Sequence, residues 1–250
     1  MEQEVRPVGR YHPLYWLRRL FPDLDTYSVV VVVTGCVAMV LFLYHGRPHQ
    51  LEQYFPDYYA GLEPAHRALA PYVYSHLAAL VTLCLFPIVV SLVLLRTGPH
   101  QMGVAFRRCG RELIIVMVLL ALLLPVLIWI SGTPDFQEKY PKLKEIKSDA
   151  ALFWAYQGFY LIKWFAWEYF FRGFLLFGLH KRFGESAILF STMPFVVIHL
   201  GKPEAEIMGA IVAGIVLGRL ALAGRSILPT VWLHFAVAGV MDFLTSDWWR

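Results

Sequence analysis

Apolar windows of bilayer length recur along this chain, and they restrict its fold more than any other feature. Tyr27–Tyr44, Tyr72–Leu95 and Leu113–Ile130 are each close to the roughly 20 residues that cross a hydrocarbon core. Further apolar runs lie at Ala151–Leu179, Ser186–His199, Glu206–Ala221 and Ile227–Leu244. Backbone polar groups in lipid must be satisfied within the segment, so such windows become helices even where β-branched residues cluster, as at Val29–Val33. The expected fold is all-α, a polytopic helical membrane protein of about seven transmembrane helices. Residues 1–26 form an N-terminal cytoplasmic or interfacial segment, and residues 27–250 form one membrane domain.

Composition agrees with this class. Of 250 residues, 58% are hydrophobic and 16% charged, with a mean hydropathy of +0.55, which is far from soluble-domain usage. The net charge of +4 is spread among loops, so no clustered basic face offers a nucleic-acid footprint. Cys36, Cys84 and Cys109 stand far apart and give neither a disulfide framework nor a zinc-ribbon spacing.

In chain order, the first segment interleaves Tyr11, Leu14, Trp16 and Phe21 with Arg18 and Arg19, a mix suited to headgroup level. It contains no short apolar stretch with a cleavage site. The loop from His45 to about Ala70 holds three prolines and is expected to be irregular and interfacial. Pro87 predicts a kink in the second span. Gly132–Asp149 alternates lysines with acids and reads as a solvated face with no special role. Ala210, Gly214 and Gly218 repeat every four residues, a stripe for close helix packing. With the N-terminus inside, the inner loops carry twelve Lys and Arg and the outer loops eight. That bias predicts a cytoplasmic N-terminus, in a bacterial inner membrane.

Polar groups inside the apolar runs point to function. Glu168 and Arg172 stand four apart in AWEYFFRGFLL, so on a helix they share a face. A carboxylate at mid-membrane costs about 2.5–3.5 kcal/mol on insertion scales and needs a reason, either a structural ion pair or chemistry. His199 and His234 follow on other spans. At 1.5 Å per residue Glu168 and His199 each lie about 20 Å from the same surface and His234 about 10 Å, so the three can converge. A buried glutamate can take a proton from water and return it to a leaving amine, and an imidazole can orient that water or face an oxyanion. The same three residues could instead hold zinc, although no helix carries HExxH. Arg172 is expected to pair with Glu168 and with Glu206, and Glu206 suits the positive end of its helix. Lys163 is placed to snorkel.

Three motifs in order resemble the CPBP family of intramembrane proteases, which includes the CAAX-processing endoproteases. Trp167–Gly173 (WEYFFRG) looks like that family's Glu-Glu-x-x-x-Arg element, with Glu168 as its second glutamate and Arg172 as its arginine. Phe195-Val-Val-Ile-His199 matches Phe-x-x-x-His, and His234 matches the histidine of His-x-x-x-Asn. The resemblance spans about residues 150–245. It implies a glutamic mechanism without a metal or other cofactor: Glu168 and His199 activate water, His234 stabilises the oxyanion, and Arg172, Phe195 and Glu206 support them. The implied partners are the lipid bilayer and a membrane-anchored protein cut near the bilayer boundary, as in sorting proteases of the myxosortase type. Two positions depart from the pattern: Trp167 replaces the first glutamate and Ala238 the asparagine. They leave open an inactive scaffold or immunity-type binding protein. A transporter or proton relay is the third class, but no inverted repeat accompanies it.

Overall fold

The computed structural model describes residues 15–20, 25–105 and 109–249. Arg6, Arg10, Arg107, Arg108 and Arg250 lie outside them, as does most of the expected interfacial segment, of which the helix Tyr15–Leu20 is described. The protein is a helical bundle with no β-strand among the described residues.

Among the described residues seven helical passes make up the bundle. α1 is Thr26–His45, opened by the Asp25 carboxylate accepting from Ser28 N at 3.1 Å. α2 begins at Pro64–Ala79 and continues without a break through Leu80–Leu85, Phe86–Val90 and Ser91–Leu95. α3 is Cys109–Ser131. α4 runs as Ala150–Glu168, Tyr169–Phe177 and Gly178–Phe183. α5 is Ala187–Val197, α6 Glu204–Gly224 and α7 Leu228–Leu244. Among the described residues four helices are long and apolar enough to cross a membrane by themselves: α1, α2, α3 and α6. α4 carries charges in its middle. α5, at 11 residues, rises only about 16 Å. The protein is thus an integral, multi-pass helical membrane protein, with passes of unequal reach.

Side-chain and backbone bonds tie the ends of the passes together. At one end Tyr27 meets Thr97 at 3.3 Å, the Lys181 ammonium lies 4.5 Å from the Tyr27 ring, and Ser226 donates to Ala105 O. At the other end Ser75 donates to Gly46 O, Tyr72 to Lys142 O, and Asp247 N to Lys147 O. The passes alternate between these ends.

Local structure departs from expectation in the two longest connections. The His45–Ala70 connection is not irregular: it forms short helices at Gln50–Tyr54 and Pro56–Ala60, and α2 starts at Pro64, eight residues before the expected Tyr72. Prolines 56 and 64 sit at first helical positions, where a missing N–H costs nothing. Pro87 lies between two π-helical turns, which re-register the backbone bonds around the residue that cannot donate. The 132–149 connection is not merely a solvated face. Phe136, Tyr140, Leu143 and Ile146 are buried, and the segment folds over one end of the bundle.

The small-residue stripe sits against α5. Ala210, Gly214 and Gly218 are buried, and a Cβ at Gly214 would meet Thr192 Cγ2 at 2.4 Å. α3 packs along α7, touches α6 little, and exposes most of its apolar surface, as a lipid-facing helix does.

Candidate active site

The site is built on α4 at the point where its α-helical part gives way to π-helix. Residues 169–177 bond with an i→i+5 pattern, which winds more residues into each turn. Glu168 is the last residue before that change, and Arg172 lies within it. Both are buried to 1% exposure or less. Arg172 Nη1 donates to Glu168 Oε1 at 3.1 Å. The same oxygen lies 2.6 Å from His234 Nδ1 on α7. The expected 10 Å difference in depth between Glu168 and His234 is therefore absent.

His199 stands two residues beyond α5, where Pro194 and the following turns end that helix. Its Nδ1 contacts Phe195 O at 2.6 Å. The Phe195 ring joins the parts of the site. The Arg172 guanidinium lies over it at 4.0 Å, and the rings of His199 and His234 stand 4.6 and 5.8 Å from it, centre to centre. On its other side His234 stacks on Trp164 at 3.9 Å.

These contacts fix both tautomers. A carbonyl oxygen only accepts, so His199 carries its proton on Nδ1 and leaves Nε2 as an acceptor. A carboxylate held by a guanidinium also accepts, so His234 likewise carries Nδ1–H, and in the neutral imidazole its Nε2 is the acceptor. His199 and His234 line one cavity of about 510 Å³, enclosed by α3, α5, α6, α7 and the 132–149 segment. Glu168 lies behind His234, fully buried, and reaches the cavity through that imidazole. A wider cleft of about 840 Å³ near Arg111 and Arg225 contains none of the motif residues.

The remaining expected residues fall as follows. Glu206 does not pair with Arg172. Its carboxylate accepts from Tyr140 Oη at 2.8 and 2.7 Å and from Lys202 Nζ at 2.5 Å. Lys202 is its i−4 neighbour, and Arg172 is already taken by Glu168. Trp167 faces neither lipid nor an open surface. It is buried against Phe42 of α1, 5.8 Å between ring centres, and against Phe171. Lys163 stays among rings, 5.5–5.9 Å from those of Tyr160, Trp164 and Trp167. Ala238 lines the cavity as an apolar wall. Asp242 is no interfacial helix-end acid: it is buried and accepts from Gln157 Nε2 at 3.0 Å.

Sequence reasoning missed Tyr140, Trp164 and Lys202. Tyr140 had a signal in the Phe136, Tyr140, Leu143, Ile146 spacing inside a charged loop, which gives the segment a face to bury. Among the described residues no three His, Cys, Asp or Glu side chains are placed to share a metal ion.

Residues 149–240 match the family model described as Rce1-like, type II CAAX prenyl endopeptidase. No curated protein and no solved structure matches the chain. The matched segment contains α4, α5, α6 and the His234 turn of α7, which are the elements that assemble the site. Over that segment the chain is similar to the CAAX-type, CPBP family of intramembrane proteases.

Proposed function

We propose that the cavity shared by His199 and His234 hydrolyses a peptide bond in a membrane-anchored protein, and that Glu168 acts through His234. A water molecule is held by the two unprotonated Nε2 atoms. His234 takes its proton as the water oxygen attacks the carbonyl carbon. The Glu168 carboxylate, 2.6 Å from Nδ1, stabilises the imidazolium that forms and holds the ring in one orientation. The imidazolium faces the developing oxyanion and passes its proton to the leaving nitrogen. Arg172 fixes the carboxylate, and Phe195 spaces the two imidazoles. The reaction class is glutamic in the sense that a buried glutamate sets the base. In this proposal every proton is moved by the chain's own side chains, and no step is assigned to a metal.

One observation carries this reading: a buried carboxylate bonded to the inner nitrogen of a cavity-lining imidazole. A second reading rests on Trp167 and Ala238. An indole packed on Phe42 and an apolar wall occupy the two departing positions, which suits a family member that binds an anchored protein without cutting it. Co-expression with candidate anchored proteins separates the two. Cleavage that disappears in His234→Ala supports hydrolysis, and capture of the intact protein by both forms supports binding.

The cavity, Lys202 and the 132–149 segment lie at the end of the bundle opposite Thr26 and Lys181. With the N-terminus on the cytoplasmic side of a bacterial inner membrane, as the basic-residue bias favours, substrate is cut at the outer boundary. Labelling of single cysteines at positions 181 and 142 from opposite faces tests this orientation. Labelling of both from one face contradicts it.

A further inference from the structure

At the cavity end nearest His199, three lysines meet one glutamate. Lys202 lines the cavity beside His199, one turn further along the chain, with its N–H on His199 O at 3.1 Å. Its ammonium binds Glu206 Oε1 with one of its three donors. Tyr140 holds both Glu206 oxygens, so the carboxylate is fixed in place and Lys202 is fixed against it. Lys142 stands over the Tyr140 ring at 4.6 Å, and Lys139 donates to Gly201 O at 2.7 Å. Burial first, then the neighbouring charges of Lys202 and Lys139, push the Lys142 amine down to about 8. Elsewhere the cavity wall is mostly aliphatic and aromatic.

We propose that Lys202, positioned by Glu206 and Tyr140, binds a carboxylate of the substrate peptide close to the bond that is cut. The inference rests on the proteolytic reading of this cavity and deepens it by naming a specificity element. Lys202 lines a trough whose wall is otherwise mostly apolar, where a carboxylate gains more from a charged partner than it does in water. A group held there lies within about 10 Å of His199, about three residues of extended peptide. The carboxylate is either the peptide's own C-terminus or an Asp or Glu side chain in that stretch. Glu206 both orients Lys202 and competes with the incoming anion, so its removal has a defined sign.

The test is binding, which does not depend on turnover. Three dansyl-labelled Leu/Ala-rich peptides are titrated onto the full-length protein in phosphatidylcholine nanodiscs. One has a free C-terminus, one is its C-terminal amide, and one is an amide with a single Asp three residues from the end. The carboxylate-bearing peptides are expected to bind about tenfold more tightly than the plain amide. The free-acid and Asp arms identify which carboxylate is used. Lys202→Met should erase the difference, Lys202→Arg should keep most of it, and Glu206→Gln should tighten carboxylate binding. A merely structural ion pair predicts the same loss for Lys202→Met and Glu206→Gln, with all three peptides shifted alike. That pattern overturns the proposal, as does equal or absent binding of the three peptides to the wild-type protein. Cleavage of the same peptides is followed in parallel. Preference without cleavage keeps the carboxylate site and removes the protease reading, and cleavage without preference does the reverse.

Discussion

Glu168 Oε1 and His234 Nδ1 lie 2.6 Å apart although 66 residues separate them in the chain. Their contact joins α4 to α7 at the wall of the cavity and gives the motif of α4 its outlet. The same oxygen accepts from Arg172, so one atom couples the buried ion pair to the cavity-lining imidazole. Removing Arg172 strands that carboxylate. Arg172→Met should lower stability by about 3–5 kcal/mol, since one buried charge is left unpaired. Thermal unfolding in detergent checks this, and a loss no larger than that of a surface substitution contradicts it.

Close packing of α5 on α6 gives a second prediction. A Cβ at Gly214 would fall 2.4 Å from Thr192 Cγ2, whereas one at Gly209 would meet nothing within 4 Å. Gly214→Ala should cost about 1–3 kcal/mol through overpacking. Gly209→Ala should be neutral or mildly stabilising, as helix propensity favours alanine over glycine. Paired melting curves of the two variants check the contrast.

Much of this architecture is legible in the sequence, for physical reasons that can be named. The apolar windows and the four-residue stripe of α6 follow from periodicity and lipid, and both appear in the bundle. Glu168, His199 and His234 stand out because charge and imidazole are costly in apolar runs. Other features depend on tertiary contacts that no local pattern encodes. Trp167 stands out only as a departure from the motif, and its partner Phe42 comes from α1, far off in the chain. Glu206 looks free to meet Arg172 until Tyr140 arrives from the 132–149 segment. Asp242 reads as an interfacial acid because Gln157, 85 residues earlier, is its partner. The π-helical winding of residues 169–177, which starts next to Glu168, leaves no signature in composition.

Trp167 is a packing residue here. Trp167→Ala should destabilise the protein by about 3–5 kcal/mol, the usual cost of emptying a large aromatic site. Trp167→Phe should retain folding and most activity, because the ring contacts with Phe42 and Phe171 persist. A Trp167→Ala protein that melts with the wild type would show that this indole is not part of the core.

Lys142 gives a pH dependence with a definite sign. Burial first, then Lys202 and Lys139, push its amine down to about 8 in the folded chain, against 10.5 for an ordinary lysine. Between those values the unfolded state binds more protons, so stability rises with pH across that window. Tyr140 opposes the rise above pH 10, because burial and then Glu206 raise its phenol and the folded chain keeps the proton longer. The melting temperature of wild type relative to Lys142→Met should therefore climb from pH 8 to pH 10. A flat or falling difference contradicts the placement of Lys142 among the other amines.

No metal should be required. Protein treated with a strong chelator and then dialysed should cleave at the untreated rate. Loss of cleavage, with recovery on adding zinc, would make Glu168, His199 and His234 ligands instead.

The most direct measurement is a mutant cycle on Glu168 and His234, read as the rate of cleavage of an anchored substrate in expression-matched membranes. His234→Ala should lower the rate by about 10²–10⁴, the usual contribution of a positioned general base. Glu168→Gln should lower it to a similar degree, because the amide keeps the shape but cannot stabilise the imidazolium. Carrying both changes should be no worse than His234→Ala alone, since residues that act as a unit are not additive. Losses that multiply in the double variant, or a Glu168→Gln protein that cleaves at the wild-type rate, would contradict a glutamate acting through His234.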